Sequence, residues 1–167
     1  ELQWWPSGAA GARTIRSDRR TVRTLGVDRN GSRALIVATP IAQPTRTELS
    51  IVDLESGRER SRMAIGRAVQ SQPPIELPGG LIVVATDDGA LAICDPATGS
   101  CRTASPPLER VAALGPTATG DLALLAPDGT SATVAATALD VGVRRRITQH
   151  AIDALVCDPN RDAWLAL

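Results

Sequence analysis

The stretch Asp87-Asp-Gly-Ala-Leu-Ala-Ile-Cys-Asp-Pro-Ala-Thr-Gly-Ser100 constrains the fold most, because it reads as a turn, a short buried strand and a second turn. Asp-Gly suits a tight turn, and in Asp95-Pro-Ala-Thr-Gly99 the Asp side chain can bond forward to backbone N–H groups. Pro presets φ, and Gly accepts positive φ. Weaker copies of this unit recur along the chain, so whatever fold it builds is built several times.

Almost every apolar run is four to seven residues long and bounded by Gly, Pro, Asp or Asn, which predicts an all-β chain. Residues 1–8 and 12–17 read as a first pair of strands. Strands follow at 21–27, 33–39, 48–53 and 58–65, with Asp28-Arg-Asn-Gly31 and Leu54–Gly57 as turns. The order repeats at 69–77, 81–86, 90–94 and 101–104, and again at 110–114, 122–126, 131–136 and 141–148. A last round has only two strands, 151–157 and 163–167.

Superposed, Ala34-Leu-Ile-Val-Ala-Thr, Leu81-Ile-Val-Val-Ala-Thr, Leu122-Ala-Leu-Leu-Ala-Pro and Ala163-Trp-Leu-Ala-Leu take the second place of the repeat. Glu48-Leu-Ser-Ile-Val, Ala90-Leu-Ala-Ile-Cys and Glu1-Leu-Gln-Trp-Trp take the third. The strands at the two ends are thus complementary halves of one unit, giving four units of roughly 40 residues. The strand, Asp-Gly, strand, Asp-Pro-Ala-Thr-Gly pattern resembles blades of bacterial β-propellers of the quinoprotein-like, YVTN and WD40-like group. The resemblance covers essentially the whole chain. The Gly-His and Trp-Asp pairs of WD40 repeats are absent, and no Trp follows Thr-Gly as in quinoprotein blades, so no PQQ site or other cofactor is expected.

The resemblance implies a single propeller domain. Blade 1 would span about 19–66, blade 2 about 67–107 and blade 3 about 108–149. Blade 4 would be split, with outer strands in 1–18 and inner strands in 150–167. Stacked blades bury middle strands on both faces, which explains their continuous apolar runs, while outer strands tolerate Arg58-Glu-Arg-Ser-Arg62. Trp4 and Trp5 point to opposite faces of a strand, so burying both requires a blade on each side. Trp164 would lie on the neighbouring strand. Three arrangements are open: a four-bladed ring in one chain, an eight-bladed ring in which a homodimer completes each split blade, or a fragment whose missing blades lie on another chain.

The core is aliphatic: 43% of residues are apolar, yet there is no Phe or Tyr and only three Trp. Eighteen basic residues balance eighteen acidic ones, so no global field favours nucleic acid or an anionic membrane. No apolar run approaches the roughly 18 residues a membrane span needs. Three cysteines cannot all pair within one chain, which points mildly to a reducing compartment such as the bacterial cytoplasm.

Charge is uneven, however. Residues 1–33 carry Arg13, Arg16, Arg19, Arg20, Arg23, Arg29 and Arg33 against Glu1, Asp18 and Asp28, an excess of four. Arg13, Arg16, Arg19, Arg20 and Arg23 are candidates for gripping phosphate or an acidic partner surface. A solvated outer strand explains them equally well, and stacking platforms for single-stranded nucleic acid are lacking. Cys94 and Cys101 stand opposite each other if Asp95 pairs with Ser100, which permits a disulfide; a slip of one residue forbids it. Reduced core cysteines are the favoured expectation.

His150, the only histidine, reads as a strand-end residue. No GxSxG accompanies it, and without CxxC a zinc site is not expected. Asp87-Asp-Gly, Asp128-Gly, and Asp158 with Asp162 are turns. The functional expectation is a non-catalytic scaffold or binding module for a protein or ligand, within a larger protein or assembly. The alternatives are a propeller hydrolase or lyase acting at the channel mouth, and a self-assembling structural subunit.

Overall fold

The computed structural model describes residues 19–104 continuously, together with 2–4, 11, 13–15, 111–117, 121–126, 128, 130–134, 141–146, 155–158 and 163–166. Trp5, Arg16, His150 and Asp162 lie outside the described residues, as do the side chains of Trp4, Arg13, Cys157, Asp158 and Trp164. All described regular structure is β, in antiparallel sheets. The strands are β1 (Leu2–Trp4), β2 (Arg13–Ile15), β3 (Arg20–Val27), β4 (Arg33–Pro40), β5 (Glu48–Asp53), β6 (Glu59–Ala64), β7 (Ile75–Glu76) and β8 (Ile82–Ala85). They continue as β9 (Leu91–Asp95), β10 (Ser100–Ala104), β11 (Ala113–Pro116), β12 (Leu122–Leu125), β13 (Thr130–Val134), β14 (Val141–Arg146), β15 (Leu155–Asp158) and β16 (Ala163–Ala166).

Three four-stranded sheets run in simple meander order, β3-β4-β5-β6, β7-β8-β9-β10 and β11-β12-β13-β14. Two hairpins, β1-β2 and β15-β16, are separate two-stranded sheets. The described sheets do not close into a ring. Among the described residues no helix is long and apolar enough to cross a membrane.

The sheets stack face to face, and the second sheet shows why its middle strands are apolar from Ile82 to Ala85 and from Leu91 to Cys94. Successive side chains point to opposite faces. Ile82, Val84, Ala92 and Cys94 therefore meet Leu35, Val37, Leu49, Ile51 and Met63 of the first sheet. Val83, Ala85, Leu91 and Ile93 meet Val111, Leu122, Leu124, Ala132 and Val134 of the third. Each buried Val, Ile or Leu contributes about 1.5–3 kcal/mol. Outer strands β6 and β10 are largely exposed, so Arg and Glu are accommodated there at little cost.

Repeated turns fix the registers. Asp53 and Asp95 each accept the backbone N–H of a glycine four residues on, Gly57 at 2.8 Å and Gly99 at 2.9 Å. Both glycines adopt positive φ (68° and 69°), the conformation that closes a hairpin with a bulge. The Asp53 carboxylate binds the Ser56 N–H and hydroxyl, and that of Asp95 binds the Ala97 N–H. Sequence predicts a strand over 69–77, but regular pairing is confined to β7. Val69 makes only an isolated bridge to Thr86, because Pro73 and Pro74 supply no N–H to a ladder.

That irregular segment brings Pro74 against the first sheet. A Cβ on Gly26 would meet the Pro74 carbonyl oxygen well inside van der Waals contact. Gly26→Ala is therefore expected to destabilise by about 1–3 kcal/mol through displacement of the 73–76 backbone. Urea unfolding followed by circular dichroism measures it; a loss below about 0.5 kcal/mol would contradict this close approach.

Candidate functional site

The β3–β4 turn and the start of the β7–β8 turn meet at one end of the first two four-stranded sheets. Asp28 closes the former. Its backbone N–H donates to the Arg33 carbonyl (3.0 Å), and its carbonyl accepts from Gly31 N–H (3.1 Å). Its side chain, fully buried, takes four further bonds. Oδ1 accepts from the backbone N–H groups of Ser32 (2.7 Å) and Arg33 (3.0 Å), while Oδ2 accepts from Ser32 Oγ (2.9 Å) and Arg33 Nε (2.8 Å).

Arg33 then crosses to the second sheet. Its Nη2 donates to Glu76 Oε1 at 2.6 Å, and the Arg29 backbone N–H donates to Glu76 Oε2 at 3.1 Å. Burial pushes the Asp28 carboxyl upward, but the bonds from Arg33 and Ser32 outweigh it and hold the group below its ordinary value of 3.8. Arg33 is raised, chiefly by its bond to Asp28. One guanidinium thus serves two carboxylates and pins two sheets together.

Beside this tie lies a cleft of about 330 Å³, lined by Arg29, Asn30, Glu76 and the turn Leu77–Gly80. Gly79 and Gly80 both have positive φ, so this wall presents backbone instead of side chains. Arg29 and Asn30 are exposed, and the Arg29 guanidinium has no partner among the described residues. The cleft therefore offers a planar cationic donor above a carboxylate already satisfied by Arg33. That arrangement suits a carboxylate or phosphate brought by a partner.

Of the arginines singled out by sequence, Arg19, Arg20 and Arg23 do not line this cleft, while Arg16 and the Arg13 side chain lie outside the described residues. Arg20 donates to Ser50 Oγ (3.1 Å) and lies 3.8 Å from Glu59. Arg23 sits at a bulge in β3 and donates from Nε to Thr39 Oγ1 at 3.2 Å. Arg19 is exposed with φ of 47°, and its carbonyl accepts from Ile41 N–H. Arg13 lies in β2. Asp28, Arg33 and Glu76 were not visible as a site in the sequence, since the Arg33–Glu76 contact spans 43 residues.

The Asp-rich turns are engaged in their own geometry. Asp88 accepts from Thr86 Oγ1 (2.5 Å) and pairs with Arg67, and Asp128 accepts from Thr130 N–H and hydroxyl. Across the second and third sheets, Gln72 Nε2 donates to the carbonyls of Val111 and Ala112, while its Oε1 is buried without a partner among the described residues. Among the described residues no cluster of His, Cys, Asp and Glu is arranged to hold a metal.

Asp95 does pair with Ser100, which sets Cys94 opposite Cys101 with Cα atoms 4.0 Å apart. The two are joined by a disulfide, correcting the expectation of reduced thiols. The register is what permits it: only the pairing that sets Cys94 and Cys101 directly opposite brings the two thiols together.

No known family profile matches the sequence, and no curated protein is significantly similar to it. Solved structures do match. The Cps50 (Swd1) β-propeller domain of Myceliophteria thermophila overlays with a TM-score of 0.71 at 15% identity, covering 94% of this chain and 51% of that one. Kuenenia stuttgartiensis hydrazine synthase gives 0.65 at 10% identity, covering 98% and 45%. U3-55K gives 0.62 at 16%, covering 86% and 44%. The fold is that of a β-propeller. This propeller chain spans about half the length of the structures it matches.

Two predictions follow from the buried carboxylate and the disulfide. Asp28, Asp53, Glu59 and Asp88 all have lowered pKa values in the fold, Asp53 and Asp88 through Ser56 and Thr86 and Glu59 through Arg62. Their contribution is complete above the ordinary carboxylate range and is lost as pH falls through the lowered values. The urea midpoint should therefore drop from pH 6 to pH 3, and Asp28→Asn should cost about 2 kcal/mol at pH 6 and less at pH 3. An equal loss at both pH values would refute the assignment.

Reduction, or Cys101→Ser, should remove about 2–3 kcal/mol by freeing an eight-residue loop in the unfolded chain. Thiol titration under denaturing conditions should find one free cysteine before reduction and three after.

Proposed function

We propose that this chain is a non-catalytic propeller platform that binds an acidic segment of a protein partner at the Arg29–Gly80 cleft. The reading rests most on how the charged side chains are employed. Carboxylates that the sequence might have offered for chemistry, Asp28, Asp53, Asp88 and Asp95, close their own turns, and Glu59 and Glu76 are held by arginines. Arg29, by contrast, lines the mouth of a polar cleft with a guanidinium that has no partner among the described residues. Propeller neighbours such as the Swd1 domain support a platform role.

A fluorescein-labelled, glutamate-rich peptide followed by anisotropy at low ionic strength tests the cleft. Binding should weaken at least tenfold with Arg29→Glu, equivalent to about 1.4 kcal/mol. It should be largely retained with Arg29→Lys and with Arg102→Glu, which alters an exposed outer-strand arginine. Added salt should weaken binding progressively. Equal loss with Arg29→Glu and Arg102→Glu would reduce the interaction to general charge and sink the cleft assignment.

A further inference from the structure

The first four-stranded sheet has two faces, and only one is covered throughout. Toward the second sheet it presents Leu35, Val37, Leu49 and Ile51, all buried. Its other face carries Ala34, Ile36, Ala38, Val52 and Leu54, against which Leu2 and Val22 pack. The β1–β2 hairpin supplies Leu2, and the Thr14 carbonyl of β2 lies near Gly57 in the β5–β6 turn. The hairpin thus lies over the outer part of this face.

The inner part is only partly covered. Leu25 pairs with Ile36 and Val27 with Ala34 across β3 and β4, so both belong to this same face. They are 43% and 47% exposed, two of the three exposed large hydrophobics among the described residues. This is the position on which the inner half of a further blade would stack. Each complete sheet joins its second strand to its third: β4 to β5, β8 to β9, β12 to β13. By the sequence repeat β1 is a third strand and β16 a second, yet β1 is paired only with β2 and β16 only with β15.

We infer that the β15–β16 hairpin of a second copy covers Leu25 and Val27 and pairs β16 with β1, so that two chains close one propeller through two identical seams. This inference rests on the platform reading and names a partner for it. In the single chain β15 lies beside β11 of the third sheet and leaves Leu25 and Val27 uncovered. The overlay on the Swd1 propeller uses 94% of this chain and 51% of that one, so the arc has the proportions of half such a ring. By the sequence repeat the two hairpins are complementary halves of one blade, so each can pair with the other's counterpart in a second copy. A head-to-tail contact of this kind closes after two copies if the arc is half a turn. Pairing β16 with β1 also removes two exposed edges, which isolated two-stranded hairpins cannot do for themselves.

Light scattering and native mass spectrometry of the 167-residue chain should give twice 17.4 kDa at micromolar concentration. The double variant Leu25→Arg, Val27→Arg alters two solvent-facing side chains and should keep its circular dichroism. Its dimer dissociation constant should rise about a hundredfold or more. Hydrogen exchange at the β1 and β16 amides should be slow in the dimer and fast in the variant, a response that a dimer formed elsewhere would not show. A 17.4 kDa species at all concentrations, a dimer indifferent to the double substitution, or an open-ended series of larger species would each overturn the inference. Peptide binding lost with Arg29→Glu reports on the cleft separately, so either conclusion can fail without the other.

Discussion

Everything in this structure depends on aliphatic sheet faces being covered on both sides. The four residues of β8 are buried without exception, alternately against the first and the third sheet. A sheet built from such strands has no face to give to water, and neither neighbour can be removed without exposing a row of Val, Ile and Leu. With no Phe or Tyr in the chain, the contact is made by many small side chains rather than by a few large ones. Close, regular approach of the sheets follows, and Gly26 beneath Pro74 shows how close it becomes near the inner edge.

Apolar packing alone leaves the sheets free to slide, because small aliphatic side chains are nearly interchangeable. Directional bonds at the ends remove that freedom. Arg33 links Asp28 of its own turn to Glu76 of the next sheet, and Gln72 links the second sheet to the carbonyls of Val111 and Ala112 in the third. A buried ion pair of this sort adds little net stability over an apolar substitute but penalises any misplacement that leaves a charge unpaired. Its contribution is geometric: it sets the first two sheets in one relation and thereby shapes the cleft beside Arg29.

Much of the fold was legible because strand and turn signals are local. The β4, β5, β8 and β9 runs and the Asp-to-Gly turns lie within windows of a few residues, where side-chain chemistry and backbone demand coincide. The β7 segment was overestimated, since an apolar pattern around Pro73 and Pro74 does not show which N–H groups are missing from the ladder. The site was not legible. Asp28 looked like a turn residue, which it is, but its second role depends on Arg33 reaching a glutamate 43 positions away. The Arg-rich segment is a cationic patch when counted along the chain, whereas in the fold Arg20 is bonded to Ser50 and paired with Glu59, and the exposed Arg23 is bonded to Thr39. The cysteine pair lay between these cases, decided by a single register that sequence could state as a condition but not select.

The distribution of polar groups also bears on where such a chain can evolve a function. Substitution in the stacked strands disturbs the packing between two sheets, whichever neighbour the position faces. The turns are constrained differently: Asp28, Asp53 and Asp95 are fixed by their backbone bonds, but the residues between them need only tolerate the turn. Arg29 and Asn30 occupy such positions, held in place by Asp28 and Gly31 on either side and by the bond from Arg29 N–H to Glu76. Backbone contacts therefore fix the location of the Arg29 side chain while leaving its identity open. Recognition can change at such a position without repacking the core, whereas Arg20 of β3 is already bonded to Ser50 and paired with Glu59.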